Sequence, residues 1–260
     1  MHVLVDIGGS GARFAACQHG SIGTPRAYRD IRDVDRLITV IRQTADGGHI
    51  TGLALSVPGY VNAETGTVRR SANASYLEGG LADRLKKAFP LARVRVVNDG
   101  EAHARALLRQ KGLRLGAINL ALGTAIAFGA LDIHGNTVYP MNGENWDISD
   151  FPMNTRAPHK EVSWALGAAG LRQLEEDHRQ NGGDSAYLRY GWRLGTLLTV
   201  LSGIFRPNTI GLSGGILRAH ANEISRGVNE SFSGPGCMDK PRIVLMTDEK
   251  SVMTGLSTLL

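Results

Sequence analysis

Cysteine is nearly absent from this 260-residue chain: only Cys17 and Cys237 occur, far apart and without a CxxC partner. That excludes a disulfide framework and a cysteine-rich zinc site, and it suits the reducing cytoplasm. No apolar run approaches the roughly 18 residues that cross a bilayer. The N-terminus enters a strand-like segment directly, without the basic stretch, apolar run and cleavage site of a secretion signal. Charge of one sign is scarce too, Lys+Arg exceeding Asp+Glu by 29 to 24, and the basic residues are scattered. No massed basic face points to nucleic acid; the net +5 suits an anionic small ligand or simply a solvated surface. With 42% hydrophobic and 20% charged residues the chain is globular, long enough for one large domain or two ordinary ones.

What is present in quantity is glycine, 33 residues, and its placement organises the chain. Val3 to Phe14 reads VLVDIGGSGARF: an apolar strand, a carboxylate at Asp6, then a turn through Gly8, Gly9, Ser10 and Gly11. Without a Cβ, such a turn lets backbone N–H groups approach a phosphate closely. A carboxylate beside phosphates repels them unless a cation, most simply Mg²⁺, lies between. A plain hairpin turn explains a lone glycine cluster equally well. Arg13 to Gln18 then reads as a return strand closing near Gly20 to Gly23.

Val34, Leu37, Ile38 and Ile41 recur at helical spacing behind Asp33, a suitable N-cap. Gly52 to Val57 is a short buried strand broken by Pro58 and Gly59, and Glu64-Thr65-Gly66 turns a hairpin between Val61 and Val68. A second amphipathic helix carries Leu81, Leu85, Ala88 and Phe89 and stops at Pro90. The strand Val94 to Val97 delivers Asn98 and Asp99 to a helix from Gly100 through Leu108. A polar pair at the C-terminal end of a buried strand is where open α/β sheets keep their chemistry. The alternative reading is that Asn98 and Asp99 simply cap that helix.

The second half repeats the plan of the first. Ala117 to Leu122 is a strand, Gly123 and Thr124 a small-residue turn, Ala127 to Asp132 a return strand, and Val138 to Pro158 a polar loop. Helices are predicted over Ser163 to His178 and Tyr187 to Ile204. The strand Thr209 to Leu212 then ends in Ser213, Gly214 and Gly215 before a helix to Asn229. Pro235 and Gly236 mark a loop, Arg242 to Met246 a last strand, and Ser251 to Leu260 a terminal helix.

These segments together resemble the bacterial glucokinases and the related ROK sugar kinases of the actin-like ATPase-domain superfamily. The likeness runs through DIGGSGAR (Asp6 to Arg13), VPG (Val57 to Gly59), ETG (Glu64 to Gly66) and VVNDGEA (Val96 to Ala102). It continues through LGTAIAFG (Leu122 to Gly129) and IGLSGGIL (Ile210 to Leu217). The resemblance implies an α/β, two-lobed, ribonuclease-H-like or actin-like fold with mixed sheets and an interlobe cleft. The small lobe would span 1–98, with the C-terminal helix of about 247–260 packing back on it, and the large lobe 99–246. By the same likeness Asp99 is the general base, accepting the proton of a sugar hydroxyl as it attacks in line. Asn98, Asn73 and Glu144 contact the sugar, and Asp6 holds Mg²⁺ through water. Gly8 to Gly11 and Gly123-Thr124 embrace the β- and γ-phosphates of ATP, Arg13 adds positive charge, and Gly214 and Gly215 pass flat against the adenosine. A cytoplasmic homodimer without zinc is implied.

The sequence also departs from that pattern. The family's E-x-x-H sugar segment falls on Glu144-Asn145-Trp146-Asp147, so its histidine is absent. A further family glutamate falls on Ser163, with Glu161 two residues away, and Ala125 stands where the second phosphate turn has glycine. A pocket built to bond hydroxyls rejects the wrong ligand by leaving its own groups unpaired, so altered ligands imply an altered substrate. Three readings stay open: an ATP- and Mg²⁺-dependent hexose kinase, a kinase using inorganic polyphosphate, and a non-catalytic sugar or nucleotide sensor. A dinucleotide-binding oxidoreductase is discounted, because a G-x-G-x-x-G counted from Gly9 puts Phe14 in the third glycine position.

Overall fold

A computed structural model describes residues 1–9, 11–153, 161–233 and 240–260. The chain divides into two compact units, Met1–Lys111 with Thr137–Trp146 and Glu249–Leu260, and Gly112–Asn136 with Asp147–Asp248. The first unit runs past the expected boundary at Asn98, because the helix that follows packs on the C-terminal helix of the same unit.

The first unit holds strands β1 (His2–Gly8), β2 (Gly11–Gln18), β3 (Ser21–Ile22), β4 (Arg26–Tyr28), β5 (Gly52–Val57), β6 (Tyr60–Val61), β7 (Val68–Arg70) and β8 (Arg93–Asn98). Its helices are α1 (Val34–Thr44), α2 (Leu81–Ala88), α3 (Asp99–Ala106) and α8 (Ser251–Ser257). The main sheet runs β3-β2-β1-β5-β8, with β4 also on β2, while β6 and β7 make a separate two-stranded ribbon. β1 pairs antiparallel with β2 and parallel with β5, which pairs parallel with β8. Both faces are covered, which is why β1 and β5 read as unbroken apolar runs. Val3, Val5, Ile7, Leu53, Leu55 and Val57 point into one core with residues of α1 and α2. The alternate residues Leu4 and Ala54 point into another with Ala102 of α3 and Val252, Met253 and Leu256 of α8. A Cβ on Gly255 would lie 1.8 Å from the carbonyl oxygen of Ala102, so α8 can approach α3 only through glycine. Asp33 caps α1, its Oδ1 accepting from Arg36 N at 2.6 Å.

The second unit holds β9 (Ala117–Leu122), β10 (Ile126–Leu131), β11 (Thr209–Ser213) and β12 (Arg242–Met246) in the order β10-β9-β11-β12. An antiparallel hairpin followed by two parallel strands is the arrangement of β2-β1-β5-β8, so the repeat read in the sequence is a repeat of topology. Helices α4 (Val162–Leu166), α5 (Ala168–Asn181), α6 (Ala186–Phe205) and α7 (Gly215–Ser231) belong to this unit. The one helix expected over Ser163 to His178 is two, broken at Gly167, where a Cβ would lie 2.4 Å from Ser163 O and 2.7 Å from Thr124 O. α6 and α7 touch backbone to backbone, since a Cβ on Gly227 would lie 2.2 Å from Leu188 O.

Of the expected elements, the loop at Pro235 and Gly236 and the end of the loop at Pro158 lie outside the described residues, as does Cys237. Cys17 is a buried free thiol, and burial pushes its pKa up. Among the described residues no helix is long and apolar enough to cross a membrane.

Candidate active site

In the first unit the parallel strands β1, β5 and β8 bring their C-terminal ends to one edge. Register places Asp6 beside Ser56 and Val57 beside Asn98, so the carboxylate of β1 and the polar pair after β8 lie one strand apart. Asp6 is 8% exposed. Its Oδ2 accepts from Arg13 Nε at 3.1 Å and Nη2 at 2.6 Å, and its Oδ1 from the buried Ser56 hydroxyl at 3.1 Å. Arg13 faces Asp6 across the β1–β2 hairpin, so its charge is spent on this carboxylate.

Asn98 is the N-cap of α3. Its Oδ1 accepts from Gly100 N at 2.7 Å and its Nδ2 donates to Gly59 O at 2.8 Å, which fixes the side chain from both ends. Capping of this helix is therefore a fact of the structure, and it positions the next residue. Asp99 opens α3 partly exposed, with Oδ1 accepting from Gly100 N at 3.0 Å. Burial, and then the nearby Asp6 carboxylate, push its pKa from 3.8 up to about 7, against the lowering effect of its hydrogen bonds. A carboxyl group held near neutrality at a sheet edge is suited to taking a proton at physiological pH.

The first glycine turn stands at the same edge. Gly11 has φ +143°, and a Cβ there would lie 2.7 Å from Tyr28 O, so only glycine fits. A Cβ on Gly9 would lie 3.5 Å from Asn73 Nδ2, which places the Asn73 amide against the turn. Ser71 shapes that loop, its Oγ accepting from Ala74 N at 3.2 Å. Thus Asp6, Gly8, Gly9, Gly11, Arg13, Asn73, Asn98 and Asp99 come together, while Ser10 lies outside the described residues. Glu144 is held in an ion pair with Arg69 beside the β6–β7 ribbon.

In the second unit Gly123 and Thr124 form the turn between β9 and β10, closed by Gly123 N donating to Ala125 O at 3.2 Å. Thr124 O accepts from Ala168 N, so the start of α5 buttresses the turn. Gly214 follows β11 with φ +100°, and a Cβ on it would lie 2.3 Å from Leu122 O, whereas Gly215 faces open space. The two turns are therefore neighbours at one end of the second sheet.

Three features escaped the sequence. Ser56 sits inside an apolar run whose only signal was one small polar residue. Arg69 gave none. Buried Glu101 accepts from Thr137 Oγ1 at 3.0 Å and Tyr139 OH at 2.8 Å, which ties α3 to the segment after β10; burial pushes its pKa up.

No protein-family model matches the chain, and no curated protein does. Solved structures do. A ROK family glucokinase from Streptomyces griseus, in complex with glucose and AMPPNP, matches at TM-score 0.82 and 16% identity, over 99% of this chain and 98% of that one. An inorganic polyphosphate/ATP-glucomannokinase from Arthrobacter matches at 0.70 and 17%, over 99% and 97%. A ROK family transcriptional regulator, a homolog of Escherichia coli MLC, matches at 0.80 and 16%, over 99% of this chain and 76% of that one. The chain thus has the mixed α/β fold of these proteins. Within that class its fold is the one shared by ROK glucokinases and sugar kinases, over nearly the whole length.

Proposed function

We propose that the chain is a sugar kinase that moves the terminal phosphoryl group of ATP to a hydroxyl of a hexose or hexose derivative. The observation that carries this reading is the placing of Asp99, directly after the Asn98 cap of α3, at the edge that also holds Asp6 and the first glycine turn. In its ionised form Asp99 accepts the proton of the acceptor hydroxyl. The hydroxyl oxygen bonds to the γ-phosphorus while the bond to the bridging oxygen breaks, and that electron pair leaves with ADP.

Asn98 and Asn73 orient the acceptor, and Glu144 bonds its hydroxyls when released from Arg69. Within the first unit Gly8, Gly9 and Gly11 offer backbone N–H groups to phosphate; within the second, Gly123-Thr124 does the same and Gly214-Gly215 suits the flat approach of an adenosine. The donor set fits a water-linked Mg²⁺. Three of roughly four lone-pair directions of the Asp6 carboxylate are used by Arg13 and Ser56, leaving room for a metal-bound water. Asp6 would hold the ion, whose charge, when bound, offsets that of the phosphates. Arg13 fixes Asp6 rather than reaching the nucleotide. A homodimer is the oligomeric state expected, which light scattering of the purified protein decides.

Two further readings have support. Inorganic polyphosphate as donor is suggested by the glucomannokinase likeness, and a non-catalytic sensor by the likeness to the regulator together with the engaged Glu144. A panel of hexoses, N-acetylhexosamines and sugar acids, assayed for phosphorylated product with ATP and with polyphosphate, tests all three. The kinase reading expects product with at least one acceptor. Binding of nucleotide and sugar without product would sink it in favour of a sensor.

A further inference from the structure

Glu144 carries a partner that the family likeness did not imply. Its Oε2 accepts from Arg69 Nη2 at 2.9 Å and from Asn142 Nδ2 at 3.2 Å, and its Oε1 lies 2.8 Å from Arg69 Nε in an ion pair. The same guanidinium lies 5.0 Å from the centroid of the Tyr60 ring. The carboxylate is turned inward, its side chain 13% exposed, while the Arg69 side chain is 64% exposed. Gripped along one edge by a carboxylate and across one face by a ring, this guanidinium is preorganised. Its Nη2 donates to Glu144, and the guanidinium has further N–H donors beyond that bond.

The assembly belongs to the acceptor side of the first unit. Gly59, whose carbonyl oxygen holds the Asn98 amide, directly precedes Tyr60, and Tyr60 pairs with Arg70 in the β6–β7 ribbon. Asn62, next along the ribbon strand, bridges to Glu144, and Val61 N donates to Asn145 Oδ1 at 2.8 Å. A continuous run of contacts therefore leads from Asn98, beside the base, to Arg69.

A neutral polyol must draw Glu144 away from its paired cation before it can donate a hydroxyl to it. An acceptor bearing its own carboxylate meets instead a fixed guanidinium with donors to spare. We propose that Arg69 is a specificity-determining residue of the acceptor site and that the favoured acceptor is a sugar acid, a hexose derivative carrying a carboxylate. The inference rests on the kinase reading above and deepens it.

The test compares kcat/KM for gluconate and glucuronate with that for glucose and mannose, in the full chain, Arg69→Gln, Arg69→Lys and Glu144→Gln. The unaltered protein should prefer an acid. Arg69→Gln should lower kcat/KM for the acid at least about tenfold, through KM, as expected for losing a charge-assisted pair, and so lower the acid-to-neutral ratio of kcat/KM. Arg69→Lys, which keeps the charge but not the fork, should retain part of the preference. Glu144→Gln, which loosens the grip but keeps the cation, should cost less than Arg69→Gln. An acid-to-neutral ratio unmoved by Arg69→Gln, or a preference of the unaltered protein for neutral hexoses, overturns this inference alone. Nucleotide binding with no turnover of any acceptor overturns the kinase reading and this inference with it.

Discussion

Replacing Asp99 with Asn removes a group whose proton affinity folding has raised from 3.8 to about 7. Between those values the folded chain keeps a proton on Asp99 that the unfolded chain has released. The native state therefore binds more protons, and stability falls as pH rises through the window. A shift of about 3 units at about 1.36 kcal/mol each sets a ceiling of about 4 kcal/mol. Asp99 is partly exposed, so solvent screening reduces this to about 1–2 kcal/mol. Asn keeps the shape of the side chain and does not titrate. Urea denaturation of both proteins at about pH 4 and about pH 8 should show near-equal stabilities at the lower pH, with the variant ahead by about 1–2 kcal/mol at the higher. Glu101, also raised by burial, loses stability in the same direction, but it is present in both proteins and cancels in the difference. Parallel pH curves for the two proteins would refute the reasoning.

Arg13→Gln removes the charged partner of a largely buried carboxylate and should cost about 1–3 kcal/mol in a denaturant titration; no change would mean that Asp6 is well solvated. Tyr139→Phe takes a donor from Glu101 and should destabilise by about 1–2 kcal/mol, more at high pH than at low, because that hydrogen bond holds the pKa of Glu101 down. Equal loss at both pH values would argue that Glu101 stays protonated. Gly227→Val forces a Cβ against the carbonyl of Leu188 and should cost about 3 kcal/mol or more, read as a large drop in thermal midpoint.

The parts legible in the sequence were those written locally. A buried strand announces itself by an apolar run and its end by a glycine turn or a polar pair, so the sequence alone puts Asp6, Asn98 and Asp99 near strand ends. Asp33 was placed as a cap for the same reason. Once the strands are parallel, their C-terminal ends share an edge, so the gathering of those three residues follows from topology. The illegible parts are contacts across long stretches of chain. Nothing near Glu144 indicates that Arg69, 75 residues earlier, will take its carboxylate. Nothing near Ser56 shows that its hydroxyl will meet Asp6, 50 residues away. That α3 groups with the first unit depends on its packing on α8 through Gly255, more than a hundred residues later, which no local pattern shows. The break at Gly167 was hidden by a helical apolar period that continues across it, since the period does not register the carbonyl of Thr124 pressing on that glycine.

The measurement that bears most directly on the central claim is single-turnover phosphoryl transfer by Asp99→Asn and by the unaltered protein at about pH 8, with nucleotide affinity measured alongside. If Asp99 takes the hydroxyl proton, the variant binds nucleotide as before, and its transfer rate falls by at least about 10²-fold, the usual contribution of a general base. Transfer within a few-fold of the unaltered rate, with binding intact, would contradict the account.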